Sequence, residues 1–328
     1  MMSKNKRQTG IALLSILLVL SLLIMLALEL TRSFRTQMIR TDAFQQKKQA
    51  QWYSFSGEQL AIKTLKQTFK DDPEITHLGQ SWATANVAFP VEGGQISGYL
   101  KDAQSCFNIN ALAKPAANSS VNNGASKLTI EGQVFTALLE HLTLPPMQAE
   151  QITMATRNWV SSEEFRQGAT DQDYLTQPMP YLSGKTPMRD ISEWRAVAGV
   201  SRSIAQKVMP YLCALPSSDL AININTLSPE QPELLAAMYI DQLPVDHAQT
   251  ILEKRPRNGW AQIAEFTSQT LLANFNNSGI NERLTINSYF FEMSATANYG
   301  DSEVKLKSLL ARSKDNKLTV IRRKFGGV

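Results

Sequence analysis

The chain has 328 residues, 43% of them hydrophobic, and carries a formal charge of +4. That length allows two or three domains with a real core. A charge so modest does not point to nucleic acid, which selects a basic face.

Lys4, Lys6 and Arg7 form a short basic lead-in, followed by Thr9-Gly10 and an unbroken apolar run from Ile11 to Leu28. At 1.5 Å per residue this run makes a helix of about 27 Å, close to the hydrocarbon thickness of a bilayer. Its polar side chains, Ser15 and Ser21, can bond back to the helix. A secretory signal would have a shorter core with a small-residue cleavage site after it; here Gly10 precedes the run, and a plain single-pass anchor is the simplest alternative. No second such run exists, so the chain crosses a membrane at most once. Arg32, Arg35 and Arg40 balance the leading charges, so the positive-inside rule leaves orientation open. From Glu29 the composition turns polar, yet no Gly or Pro appears before Gly57 and Pro73. Phe34, Met38, Phe44, Tyr53, Phe55, Leu60, Ile62, Leu65 and Phe69 recur at helical spacing. The pattern predicts one long helix, apolar all round and then amphipathic, with the soluble part built against its second half.

Gly94 to Asp102 alternates as a strand with Ile96 and Leu100 on one face. Near the end of the chain, Leu284 to Asn298, Glu303 to Ser313 and Lys317 to Arg323 also predict strands, separated by turns at Asn298–Asp301 and Lys314–Asn316. These strands make a small antiparallel sheet whose one face the long helix covers, an α+β layer pair.

The middle of the chain contains an internal repeat. Cys106-Phe-Asn108-Ile-Asn110-Ala-Leu112 echoes Ala221-Ile-Asn223-Ile-Asn225-Thr-Leu227. Leu138-Leu139, Leu144-Pro145, Ala149, Ile152, Arg157 and Trp159 follow the first; Leu234-Leu235, Leu243-Pro244, Ala248, Ile251, Arg255 and Trp260 follow the second. Ile191-Ser-Glu193-Trp194 then echoes Ile263-Ala-Glu265-Phe266. Two related helical modules are expected, inserted into the sheet domain. The asparagines are expected to bond nearby backbone and set up helix starts, and Ser228-Pro229-Glu230 to begin a helix. Cys106 and Cys213 are the only cysteines. They would pair in an oxidising compartment and be separate buried thiols in a reducing one; a disulfide in a periplasmic body is the expectation.

His77, His141 and His247 have no metal-pair spacing, and no nucleophile elbow, phosphate loop or zinc motif occurs; an enzyme is not expected. Val197-Ala-Gly199-Val200-Ser201, with Ala205 and Val208, is similar to a helix-hairpin-helix. Its second glycine is Ser201, so a phosphate cradle is not expected and the hairpin reads as helical packing. From Trp159 to Tyr174 runs an acidic loop in which Glu163, Glu164, Asp171 and Asp173 offer hard oxygen ligands of the kind Ca²⁺ takes; a solvated loop is the plain alternative.

The order of parts resembles the type IV pilin and pseudopilin class, and within it the K minor pseudopilins of type II secretion. A basic leader ending in Gly10, an apolar helix and an amphipathic continuation carry the first likeness. The second is carried by two sterile-alpha-motif-like modules inside a pilin fold, each entered by an Asn-x-Asn-x-Leu segment. The resemblance implies a leader at 1–10, cut by a prepilin peptidase after Gly10 with methylation of Ile11. It implies a transmembrane part at 11–31, and a helix with first strand or strands at 32–105. The modules fall at 106–216 and 217–283, with closing strands at 284–328. The class usually carries Glu five residues into the mature helix, where this chain has Ser15. A carboxylate in lipid is costly and is kept in a filament by pairing with the subunit ahead; a tip subunit has none ahead. The resemblance thus implies a pseudopilus-tip subunit needed for export of folded proteins across the outer membrane. It would sit in the inner membrane with its body in the periplasm, beside the I and J minor pseudopilins. Ile16, Leu17 and Leu20 would pack on partner helices. It also implies calcium at the acidic loop: Gly168, Ala169, Asp171, Asp173 and Tyr174 match the family, while Ser161, Gln167 and Thr170 depart with loss of carboxylates. An adhesive type IV minor pilin and a membrane-tethered DNA-uptake protein are the alternatives.

Overall fold

A computed structural model describes residues 11–114, 128–162, 171–273, 275 and 278–326. Helix α1 runs from Ile11 to Asp71 without a break, 61 residues. It ends two residues before Pro73, which disfavours helical backbone at the residue preceding it. Strands β1 (Val87–Val91) and β2 (Gly94–Asp102) form a hairpin that leads to β3 (Phe107–Asn108). The helical region follows: α2 (Ile130–His141), α3 (Pro146–Val160), α4 (Gln172–Leu175), α5 (Arg202–Val208), β4 (Leu212–Cys213), β5 (Ile222–Asn223), α6 (Pro232–Met238), α7 (Val245–Glu253), α8 (Ile263–Thr267) and α9 (Ser278–Asn281). The chain closes with β6 (Leu284–Thr285), β7 (Phe290–Tyr299), β8 (Ser302–Arg312) and β9 (Leu318–Phe325).

The main sheet has five strands in the order β1-β2-β7-β8-β9, each pair antiparallel. In β7, Phe291, Met293, Ala295 and Ala297 alternate inward. Phe291, Met293 and Ala295 meet Leu65, Phe69, Trp82, Leu306, Leu310 and Leu318 in the core beneath α1. Gly57 lets the helix lie close: a Cβ there would stand 3.1 Å from Ile96. One carboxylate is sealed in this layer. Glu58 accepts from Arg323 at 2.8 and 2.7 Å and from Ser308 at 2.6 Å, so the charge that burial penalises is returned by a bidentate guanidinium.

The helix covers the sheet over a shorter span than its apolar spacing predicts. Its buried side chains begin at Ala50 and continue with Ser54, Glu58, Leu65, Thr68 and Phe69. Phe34, Met38 and Phe44 are exposed, beyond the end of the sheet. The predicted strand from Leu284 to Asn298 is broken. Leu284–Thr285 pairs in parallel with β5, and β7 starts only at Phe290. Between them the Thr285 and Asn287 side chains bond local and distant backbone, and the Ser288 amide donates to Thr76 Oγ1, which takes this stretch out of the ladder. The second module's first helix starts at Pro232 rather than Pro229, because Ser228 closes a turn, its hydroxyl accepting from the Glu230 amide.

The two modules are not separate bodies. One continuous core runs from Phe107, Phe135 and Trp194 of the first to Tyr239, Trp260 and Phe266 of the second. A smaller cluster of Ala103, Leu215 and Leu309, flanked by Cys213 and Phe290, seats the first module on the sheet face opposite α1.

Candidate functional site

The surface available for assembly starts with α1. Ile11, Ile16, Leu17 and Leu20 are 64%, 64%, 52% and 50% exposed. Among the described residues this is the one helix long and apolar enough to cross a membrane, and none of its most apolar window is buried. Ser15 donates to the carbonyls of Ile11 and Ala12 at 3.1 and 2.9 Å, so its hydroxyl is satisfied within the helix and brings no charge into it. Gly10 lies outside the described residues.

The body behind that helix is fastened by asparagines that do more than cap turns. An Asn side chain offers one acceptor and two donors, the same groups as a peptide bond. Asn108 and Asn223 do accept locally, from the amides of Asn110 and Asn225, as the spacing predicts. Their remaining bonds are long-range. Asn108 also accepts from Leu215 N and donates to Ser217 O. Asn110 holds both Met188 N and Met188 O, at 2.7 and 2.9 Å, and donates to Leu215 O. Asn225 repeats the arrangement on Trp260, accepting from its N at 2.8 Å and donating to its O at 3.1 Å. The structural equivalent of Trp260 is therefore Met188, not the Trp159 that the sequence spacing suggests. The segment between α3 and Met188 has no counterpart in the second module.

Asp102, at the end of β2, ties the sheet to the second module. Its carboxylate accepts from Ser288 Oγ at 2.6 Å, Thr226 Oγ1, Asn223 Nδ2 at 3.1 Å and the Gln104 amide at 2.8 Å. Burial pushes its pKa up, against the pull of these donors. Cys106 and Cys213 are joined, with S–S 2.12 Å, across a separation of 107 residues, beside the parallel bridge of β3 and β4.

The acidic loop is described in part. Glu163, Glu164 and the side chain of Asp173 lie outside the described residues. Asp171 accepts from Ser183 Oγ at 2.6 Å and pairs with Lys185 at 3.2 Å. The loop's return path is packed: Trp159 meets Tyr174 and Tyr181 edge-to-face, the two tyrosines meet at a tilt, and Gly184 is needed because a Cβ would come within 2.7 Å of Trp159 Nε1. Asp171 is thus a preset hard oxygen donor, in keeping with the oxygen set Ca²⁺ takes, with Lys185 as a competing cation. His77 is buried, its Nδ1 accepting from Gly79 N, and burial pushes its pKa down despite Asp72 nearby. Among the described residues no group of three or more His, Cys, Asp or Glu converges as a metal site. At the hairpin Gly199 has a positive φ of 83° and is exposed, a Cβ there would stand 3.1 Å from Ile152, and Ser201 caps α5 by accepting from Ile204 N.

A long, half-exposed N-terminal helix laid on an antiparallel sheet defines a pilin-like subunit, here carrying a large helical insertion. Two family models, both described as type II secretion system protein K, match residues 105–217 and 222–287. The type II secretion system protein K of Aeromonas hydrophila is 38% identical over 99% of both chains, and that of Klebsiella pneumoniae 35% identical over 98% of both. A chain in the crystal structure of the GspK-GspI-GspJ complex from the type 2 secretion system of enterotoxigenic Escherichia coli superposes with a TM-score of 0.77 at 32% identity, covering 88% of this chain and 100% of that one. The chain belongs to the type II secretion system protein K family and is a minor pseudopilin of the pseudopilus tip. Its family is a structural part of the secretion machinery.

Proposed function

We propose that the protein is held in the inner membrane by the first part of α1, with its body in the periplasm, and that a prepilin peptidase cuts after Gly10 and methylates Ile11. It then joins the I and J minor pseudopilins, as its relative does in the GspK-GspI-GspJ complex, to form the tip needed for export of folded proteins across the outer membrane. The observation that carries this reading is the division of α1. Its half from Ile11 leaves its apolar side chains unburied, whereas the half from Ala50 is locked to the sheet. Unburied apolar helices associate in lipid by close packing, and Ile16, Leu17 and Leu20 supply that surface. Ser15, bonded within its own helix, needs no charged partner ahead of it, which suits a terminal subunit. The test is co-expression with the I and J subunits and mass measurement of the purified assembly. A stoichiometric ternary complex, lost when Leu17 and Leu20 are replaced by Asn, is expected; failure of the wild type to associate overturns the reading.

Calcium belongs to the same proposal. Asp171, with Glu163, Glu164 and Asp173, would hold the ion, which would displace Lys185 and tie the loop to the end of α3. The ion would supply cross-linking charge to the loop and no chemistry.

A further inference from the structure

On the sheet face opposite α1, a cleft of about 820 Å³ opens between the sheet and the first module. Lys101 and Lys307 of the sheet and Arg195 and Arg202 of the module stand around it, and Ile191, Val200, Met209 and Leu212 line it beside the Cys106–Cys213 disulfide. Lys307 pairs with Glu292 at 3.3 Å. Lys101, Arg195 and Arg202 are exposed and make no ion pair among the described residues. Asp102 borders the cleft but is 1% exposed, and its carboxylate is spent on Ser288, Thr226, Asn223 and Gln104. The result is an apolar floor inside a cationic rim, a site that concentrates acidic ligands in a volume typical of a recognition pocket.

The cleft's position narrows the occupant. Residues that face α1 alternate with those that face the cleft. Leu100, Met293 and Leu306 lie in the core under α1, whereas Lys101, Glu292 and Lys307 lie on the other face by register. The surface that α1 offers to partner helices and this cleft are thus on opposite faces of the sheet.

We propose that this cleft docks an acidic segment with apolar anchor residues on the surface of an exported protein. The proposal rests on the reading of the chain as a tip pseudopilin. The test uses the full chain in lipid nanodiscs and a fluorescent synthetic peptide of alternating Glu and Leu as the probe. A variant carrying Lys101→Glu, Arg195→Glu and Arg202→Glu alters exposed positions only, where substitutions away from special features are usually tolerated. The expected result is saturable binding to the wild type, weakened at least tenfold in the variant and by added salt, with a Lys-Leu peptide failing to bind. Equal binding to the variant overturns the proposal, as does displacement of the peptide by a single-stranded oligonucleotide at lower concentration. In cells, the variant is expected to lower export of an acidic secreted protein while the ternary complex with the I and J subunits still forms. Unchanged export overturns the assignment of the occupant, whereas loss of the ternary complex by the wild type would fail the tip reading instead.

Discussion

Replacing Asn225 by alanine strands two buried backbone groups at once. Trp260 is 3% exposed, and both its N–H and its C=O are satisfied by the Asn225 amide. A buried polar group left unpaired costs about 1–3 kcal/mol, so the substitution costs about 2–6 kcal/mol by the same rule, against a total stability of about 5–15 kcal/mol. Asn110→Ala is expected to cost at least as much, because Met188 N, Met188 O and Leu215 O all lose a partner. Asn225→Asp does not rescue: it keeps an acceptor for Trp260 N but sets a carboxylate against Trp260 O. Urea unfolding of the full chain in detergent, followed by fluorescence of the buried Trp194 and Trp260, measures all three. A loss below about 0.5 kcal/mol in both alanine variants, the range of ordinary surface changes, would refute the assignment of these asparagines as long-range fasteners.

The disulfide closes a loop spanning a separation of 107 residues, so Cys106→Ala with Cys213→Ala is expected to cost about 2–5 kcal/mol, read as a lower urea midpoint that dithiothreitol reproduces in the wild type. Burial raises the Glu58 pKa, but Arg323 and Ser308 overcome it and hold it below its ordinary 4.5. The unfolded chain thus takes up this proton first, and the stability Glu58 contributes is full above about pH 4.5 and drains as pH falls through the folded value. Asp102, with its raised pKa, contributes with the opposite sign, so the readout is the difference between wild type and Glu58→Gln, expected to shrink below pH 4.5; a gap independent of pH would contradict the pairing. Calcium chloride titrated calorimetrically into the wild type is expected to give a binding heat that Asp171→Asn weakens at least tenfold; equal heats in both would count against this loop.

The long helix and the closing strands were legible because their signals are dense: an unbroken apolar run, then strict alternation from Phe290 to Tyr299. The start of helix–sheet contact was not. Its seam opens with Ala50, Ser54 and Glu58, small or polar side chains that hydrophobic periodicity passes over, while the visible stripe at Phe34, Met38 and Phe44 stays exposed. The repeat was legible from its Asn and Leu-Pro spacing, but the partner of each second asparagine was not. Asn110 and Asn225 grip backbone, so the side chains at Met188 and Trp260 leave no common letter, and Trp159 drew the alignment to the wrong place. Asp102 had no sequence signal at all, since its role depends on Thr226 and Ser288 arriving from distant parts of the chain. The acidic loop was marked by its carboxylates and by the family likeness, and of those carboxylates the structure places Asp171.

The most direct test of the pseudopilin assignment is the N-terminus and intact mass of the protein taken from membranes, with and without a prepilin peptidase. The expected result is a chain that begins at N-methylated Ile11 when the peptidase is present and keeps residues 1–10 when it is absent. A chain that retains Met1 or Met2 in the presence of active peptidase would contradict processing and, with it, entry of this subunit into a pseudopilus.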